Sequence, residues 1–204
     1  LMNACSFKTP PHQLEDKRGA SFSSYNKNFL AGNETLASND IKRAEQHAKK
    51  SANLANLAKI YLGECALNIS VGIEDSCKKY KEIQSLVKDD SIDAYYKLLT
   101  LNIKRKDITL LPKSYQTYAA SIQEGKNENI NTAIKNIDKT TSLLIAAALS
   151  KNKLDESTRE LAIEKASFYG YKKAVLFWLE ESLQNANPSK KKEIQKKIEI
   201  LSNK

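Results

Sequence analysis

Glycine and proline are scarce, six and four among 204 residues, which removes the punctuation that short strands and tight hairpins need. Ala, Leu, Ile, Lys and Glu crowd together instead, favouring helix and giving little support to a sheet. An all-α fold is expected. Apolar runs are short: Leu143 to Leu149 falls far below the roughly 20 residues of a membrane-spanning helix. His12 and His47 are the only histidines and Cys5, Cys65 and Cys77 the only cysteines. Their spacing matches no zinc ligand set, so no metal or cofactor is expected.

The chain also lacks the signatures of common catalytic sites. There is no G-x-S-x-G, no H-E-x-x-H, no phosphate-cradling glycine loop and no cysteine near a histidine base. Asp89-Asp90 and Glu180-Glu181 are adjacent carboxylates of the kind that cap helices or stay solvated, and an acid–base pair would need a shaped cleft around them. A non-catalytic protein is the expectation.

What is present is lysine. The formal charge of +9 comes from lysines spread along the chain among acidic residues, a pattern of solvated helix faces. Attraction to an anionic membrane surface, to acidic partners or to nucleic acid is the lesser reading. The densest cluster, Lys190-Lys191-Lys192 with Lys196 and Lys197, is interrupted by Glu193 and Glu199 and suits a polar C-terminal capping helix.

Helical periodicity and end signals predict ten helices, at about Ser21–Gly32, Asp40–Ala52, Leu54–Ile69, Ile73–Lys88, Ser91–Lys104, Pro112–Glu124, Glu128–Ser150, Asp155–Tyr169, Tyr171–Ala186 and Ser189–Leu201. Asp40 and Asp155 are placed as N-caps and Pro112 at a first helical position. Gly32, Gly72, Gly125 and Gly170 are placed in turns. The domain organisation expected is a tether over residues 1–18 and a helical repeat domain over 19–204.

A spacing recurs within that domain. Ile41-x-x-Ala44-x-x-x-Ala48, Ile73-x-x-Ser76-x-x-x-Tyr80, Ile130-x-x-Ala133-x-x-x-Ile137 and Tyr171-x-x-Ala174-x-x-x-Trp178 each put a small residue between two others on one helical face. Small residues there let a second helix approach closely. The pattern resembles the tetratricopeptide repeat, most fully over Tyr171 to Pro188, although the tryptophan of that family's first helix is absent. Ala44 and Ser76 lie about 32 positions apart, near the family's period of about 34. The resemblance implies an α-solenoid of stacked antiparallel hairpins whose concave face binds a peptide or another protein.

Leu1-Met2-Asn3-Ala4-Cys5-Ser6 resembles the end of a bacterial lipoprotein signal, with a small residue directly before the cysteine and Met2 and Asn3 departing from its usual pattern. That resemblance implies lipidation of Cys5 and anchoring in the periplasm, at the outer membrane because Ser6 follows the cysteine. The polar, proline-containing stretch to Arg18 then reads as the tether. Cys65 and Cys77 remain as a pair flanking the Gly72 turn, and two readings stand open for them, a disulfide or two buried small side chains.

Tyr95, Tyr96 and His47 are the candidate partner-binding residues. Adjacent tyrosines on a helix cannot face the same way, so one of Tyr95 and Tyr96 is expected at a surface or groove. The function expected is an interaction scaffold for a protein or peptide, with no nucleic acid bound. Two rivals are a cell-wall glycan-acting enzyme or its auxiliary factor, which needs a deep acidic cleft, and a cytoplasmic nucleic-acid-binding module.

Overall fold

The computed structural model describes residues 20–202, which fold into eleven α-helices with no strand among them. These are α1 (Ala20–Ala31), α2 (Glu34–Lys50), α3 (Leu54–Ser70), α4 (Lys78–Ile83), α5 (Asp90–Leu99), α6 (Lys113–Glu124), α7 (Asn127–Lys135), α8 (Thr140–Leu149), α9 (Glu156–Phe168), α10 (Lys172–Asn185) and α11 (Pro188–Ser202), with 3-10 turns at Gln84–Leu86, Arg105–Leu110 and Lys151–Lys153. The tether and Cys5 lie outside the described residues. No described helix is long and apolar enough to cross a membrane.

Helix α8 reads TTSLLIAAAL and buries Leu143, Leu144, Ile145, Ala146 and Ala147, side chains pointing in every direction around its axis. A helix apolar on all sides belongs in an interior, and α8 packs against α3, α6, α7 and α9. Helix α3 is its main partner, with Leu57, Ile60, Leu62 and Leu67 buried. Around this pair α1 packs on α2 and on α10, and α10 on α9 and α11.

The contacts α1–α10 and α3–α8 join early and late parts of the chain. In a linear stack each unit touches only its neighbours, so these contacts do not describe an open solenoid. The helices instead share one apolar interior running from Tyr25 to Ile194, with a smaller cluster around Cys65, Cys77, Tyr80 and Leu99. Of the four small positions, Ala44, Ala133 and Ala174 are buried, whereas Ser76 is exposed in the loop before α4. That loop replaces the first turn of the expected helix at Ile73 because Asp75 caps it locally, accepting from Asn68 Nδ2 at 2.8 Å and from the Cys77 backbone N–H at 2.8 Å.

Three other boundaries differ from expectation. Asp40 is not a cap: the turn at Gly32-Asn33 is tight enough for α2 to begin at Glu34, which leaves Asp40 buried in mid-helix, accepting from Asn28 Nδ2 of α1 at 2.8 Å. The helix expected over 128–150 breaks at Asn136–Lys139. A straight continuation of the amphipathic α7 would carry the all-apolar α8 out of the core, and the bend turns it inward while Ile137 stays buried. Helix α5 stops at Leu99 because Leu101 adopts a left-handed conformation (φ 55°) and the Asn102 N–H returns to the Lys97 carbonyl at 2.7 Å, closing the helix as a Schellman turn without glycine.

Gly32, Gly72, Gly125 and Gly170 all have positive φ, as their turn placement requires. Gly63 acts differently. It sits inside α3, and a Cβ there would overlap the Phe22 ring, so its bare backbone lets α1 lie close against α3. At the far end α11 packs on α10 with Ile194 inward, while Lys190 reaches Glu156 and Glu160 of α9.

The α8–α9 connection is fixed by a satisfied polar cluster. Buried Asn131 donates to the carbonyls of Asn127 at 2.7 Å and Lys153 at 2.9 Å, and accepts from the Asp155 N–H at 2.9 Å. Asp155 is the N-cap of α9, accepting from the Thr158 N–H at 2.7 Å and from its hydroxyl at 2.6 Å. Partial burial pushes its carboxyl up, but hydrogen bonds from Thr158, Lys135 and Ser157 outweigh that and hold it well below the usual carboxylate range. A depressed native pKa stabilises the fold above the unfolded value of about 3.9 and loses that contribution as pH falls below it. Asp155→Ala is expected to cost about 1 kcal/mol at pH 7. The gap to the parent in urea melts should narrow toward about pH 2.5, because there the unfolded chain's Asp155 takes up a proton while the native cap stays ionised.

Candidate binding groove

Helices α1, α3, α5, α6 and the α7–α8 bend enclose a groove of about 740 Å³, within the range of small-ligand and peptide-anchor sites. Phe22 and Asn26 come from α1, Gly63, Ala66 and Leu67 from α3, and Tyr95 from α5. The remaining wall is the first turn of α6, Lys113 to Tyr115, and the stretch Asn136–Ser142. The groove exists because the bend at Asn136–Lys139 brings the start of α8 beside the start of α6.

Both helix starts are open. Pro112 caps α6 and Lys139 caps α8 without a side-chain hydrogen bond at either, and neither first turn carries an acidic residue. The amide groups of a helix's first turn have no carbonyl partner within the helix and carry a partial positive charge. Exposed Lys113 and Lys139 add full charges beside them, against the single carboxylate of Asp138 in the lining. This wall attracts anions.

Tyr115, on that same first turn of α6, and Tyr95 of α5 add an aromatic face. The Tyr95 and Tyr115 rings lie 5.7 Å apart. Burial holds the Tyr95 phenol well above its ordinary value, with Tyr115 beside it adding to the shift. Burial also raises Tyr115, while contacts with Ser142 and Tyr95 pull it partly back. Both phenols are therefore neutral near pH 7 and can donate or accept. Asn26 donates to Thr141 Oγ1 at 3.3 Å, and its own amide oxygen is buried with no described partner. No histidine or cysteine lines the groove; what it offers is hydrogen bonding, apolar contact and positive potential.

Tyr95 alone of the three expected binding residues reaches this site. With Pro112 and Lys113 it forms a wall shared with a second cavity of about 390 Å³ that Lys59, Leu62 and Leu110 also line. Tyr96 faces away, its ring 5.0 Å from Tyr80 in the smaller cluster. His47 is exposed in the last turn of α2 and lines neither cavity. Sequence reasoning missed Asn26, Lys113, Tyr115 and Lys139 as site residues. A signal for the bend was present in Asn136, Asp138, Thr140, Thr141 and Ser142, five turn- and cap-forming residues inside what periodicity read as one helix.

Cys65 and Cys77 are joined by a disulfide. The Asp75 carboxylate lies close to both sulfurs, but bridged sulfurs are not thiolates and do not supply the ligands that zinc takes from cysteine. Comparison with protein families, curated proteins and solved structures finds no match for the chain.

Proposed function

We propose that the chain is a non-catalytic binding module whose groove takes a peptide segment carrying an acidic group. The observation that carries this reading is the convergence of two helix starts without side-chain caps, each with a lysine unpaired among the described residues, on one cavity that neutral tyrosines also line. The acidic group would meet the α6 and α8 amides, and apolar side chains would lie along Phe22 and Tyr95. A module of this kind resembles tetratricopeptide proteins in role, with the α9–α10 hairpin and its Ala174 and Trp178 as the closest local likeness. Its setting is proposed as the periplasm, with Cys5 lipidated and holding the chain to the outer membrane. The Cys65–Cys77 bridge supports an oxidising compartment.

A fluorescent hexapeptide of alternating leucine and glutamate, compared with its leucine–glutamine counterpart, tests the groove. The glutamate peptide is expected to bind at least about tenfold tighter, and Lys113→Glu with Lys139→Glu should remove that preference. A carboxylate at the first residue of α6 or at the N-cap of α8 faces the positive end of the helix dipole, so this double variant should fold as well as its parent. Equal binding of both peptides, or an unchanged preference in the double variant, would refute the reading.

A further inference from the structure

Phe168 and Tyr169 stand at the α9–α10 turn with 81% and 55% of their surfaces exposed, and neither joins the core. They form a ladder: Phe168 meets Tyr169 edge-on at 5.1 Å, and Tyr169 stacks on half-buried Tyr171 at 5.6 Å with 22° between the planes. The ladder is anchored inward, because the Tyr171 phenol lies beside Thr141 of α8 and Thr141 accepts from Asn26 of α1. Three helices thus hold two aromatic side chains out in water. Leaving so much ring surface exposed is unfavourable unless a partner covers it.

The charges around the ladder indicate what that partner is. Lys27 adjoins Asn26, Lys139 lies two residues before Thr141, and Lys172 adjoins Tyr171; all three are exposed and none forms an ion pair with a described residue. Against them stand Asp138 and Glu164, both exposed, while Glu34 is occupied by Lys173. The local balance is positive, as is the whole chain.

We propose that the Phe168–Tyr169–Tyr171 ladder inserts into an anionic phospholipid bilayer, with Lys27, Lys139 and Lys172 against the lipid headgroups. Phenylalanine enters the acyl boundary, tyrosine keeps its hydroxyl at headgroup depth, and lysine stems reach along the interface to place their charges on phosphate. Acidic lipid is required because the lysines act through the negative surface potential. The contact is separate from any lipid on Cys5; of its residues only Lys139 also borders the groove, and the variants that test it leave Lys139 unchanged. It would hold the α9–α10 end of the molecule against the membrane.

The test uses the full chain carrying Cys5→Ser, so that no acyl group contributes, sedimented with phosphatidylethanolamine–phosphatidylglycerol vesicles or with phosphatidylcholine vesicles. Binding is expected to the anionic vesicles alone and to weaken with salt. Phe168→Ala with Tyr169→Ala should weaken it about tenfold or more, with an unchanged melting curve because both side chains are exposed. Lys27→Glu with Lys172→Glu should weaken it similarly. Failure of the parent to bind, equal binding to phosphatidylcholine, or undiminished binding by the aromatic variant overturns the proposal. So does a single-stranded oligonucleotide that the parent retains and the aromatic variant loses while vesicles are ignored, since open ring faces beside lysines also suit stacked bases.

Discussion

Trp178→Ala is expected to destabilise the fold by about 3 to 5 kcal/mol. The indole is fully buried on α10, its neighbour Phe177 meeting it edge-on at 5.0 Å. Helix α10 is the element that α1, α9 and α11 all pack against, so a cavity at Trp178 falls where several helices meet and collapse to fill it is obstructed. For a domain of this size the loss lowers the thermal midpoint by roughly 6 to 20 °C, followed by circular dichroism. The indole N–H is buried without a described hydrogen-bond partner, an arrangement that already costs stability. Trp178→Phe should therefore lose much less than Trp178→Ala, since it keeps most of the ring and deletes the orphaned donor. An alanine variant that melts with its parent would mean that α10 presents another face to the core.

Trp178 was legible because its helix obeys local rules throughout. Tyr171, Ala174 and Trp178 follow one stripe, Gly170 supplies the turn before it, and Pro188 starts the helix after it. The same kind of reasoning placed the Asp155 cap and the four turn glycines correctly. It failed where tertiary contacts override local signals. Ala52 and Leu101 take left-handed conformations at helix ends, a role that sequence assigns to glycine or asparagine. Asp40 looks like a cap and serves instead as an acceptor between α1 and α2. The largest gap was the α1–α10 and α3–α8 contacts, for periodicity reports which face of a helix is apolar but not which distant helix covers it. The groove was hidden for the same reason: Asn26, Tyr95, Lys113 and Lys139 are remote in sequence and meet only once α8 turns into the core.

Breaking the Cys65–Cys77 bridge should cost about 3 kcal/mol, mostly by restoring freedom to an unfolded chain that is otherwise closed into a short loop. The bridge ties the central α3 to the start of α4, a helix of six residues, too short to be stable alone. Cys77 is held at φ 56°, a left-handed conformation that costs a non-glycine residue about 1 to 2 kcal/mol and that the cross-link helps to enforce. Once cut, loop 71–77 and α4 are free to relax while α3 remains packed on α8, so hydrogen exchange should quicken first in residues 71–86. Cys65→Ala with Cys77→Ala, and the parent under a phosphine reductant, should both melt roughly 6 to 12 °C below the oxidised parent. Coincidence of all three curves would show that the bridge adds no constraint. Trp178 lies in the large interior and the bridge in the smaller cluster; they are linked through Phe177, which meets Trp178 and lies against Gly72 of the bridged loop, so the two lesions should add to within about 1 kcal/mol. Together they remove about 6 to 8 kcal/mol from a fold whose class is typically stable by about 5 to 15, and Trp178→Ala under reducing conditions is expected to be largely unfolded at 37 °C while either change alone leaves the helices intact.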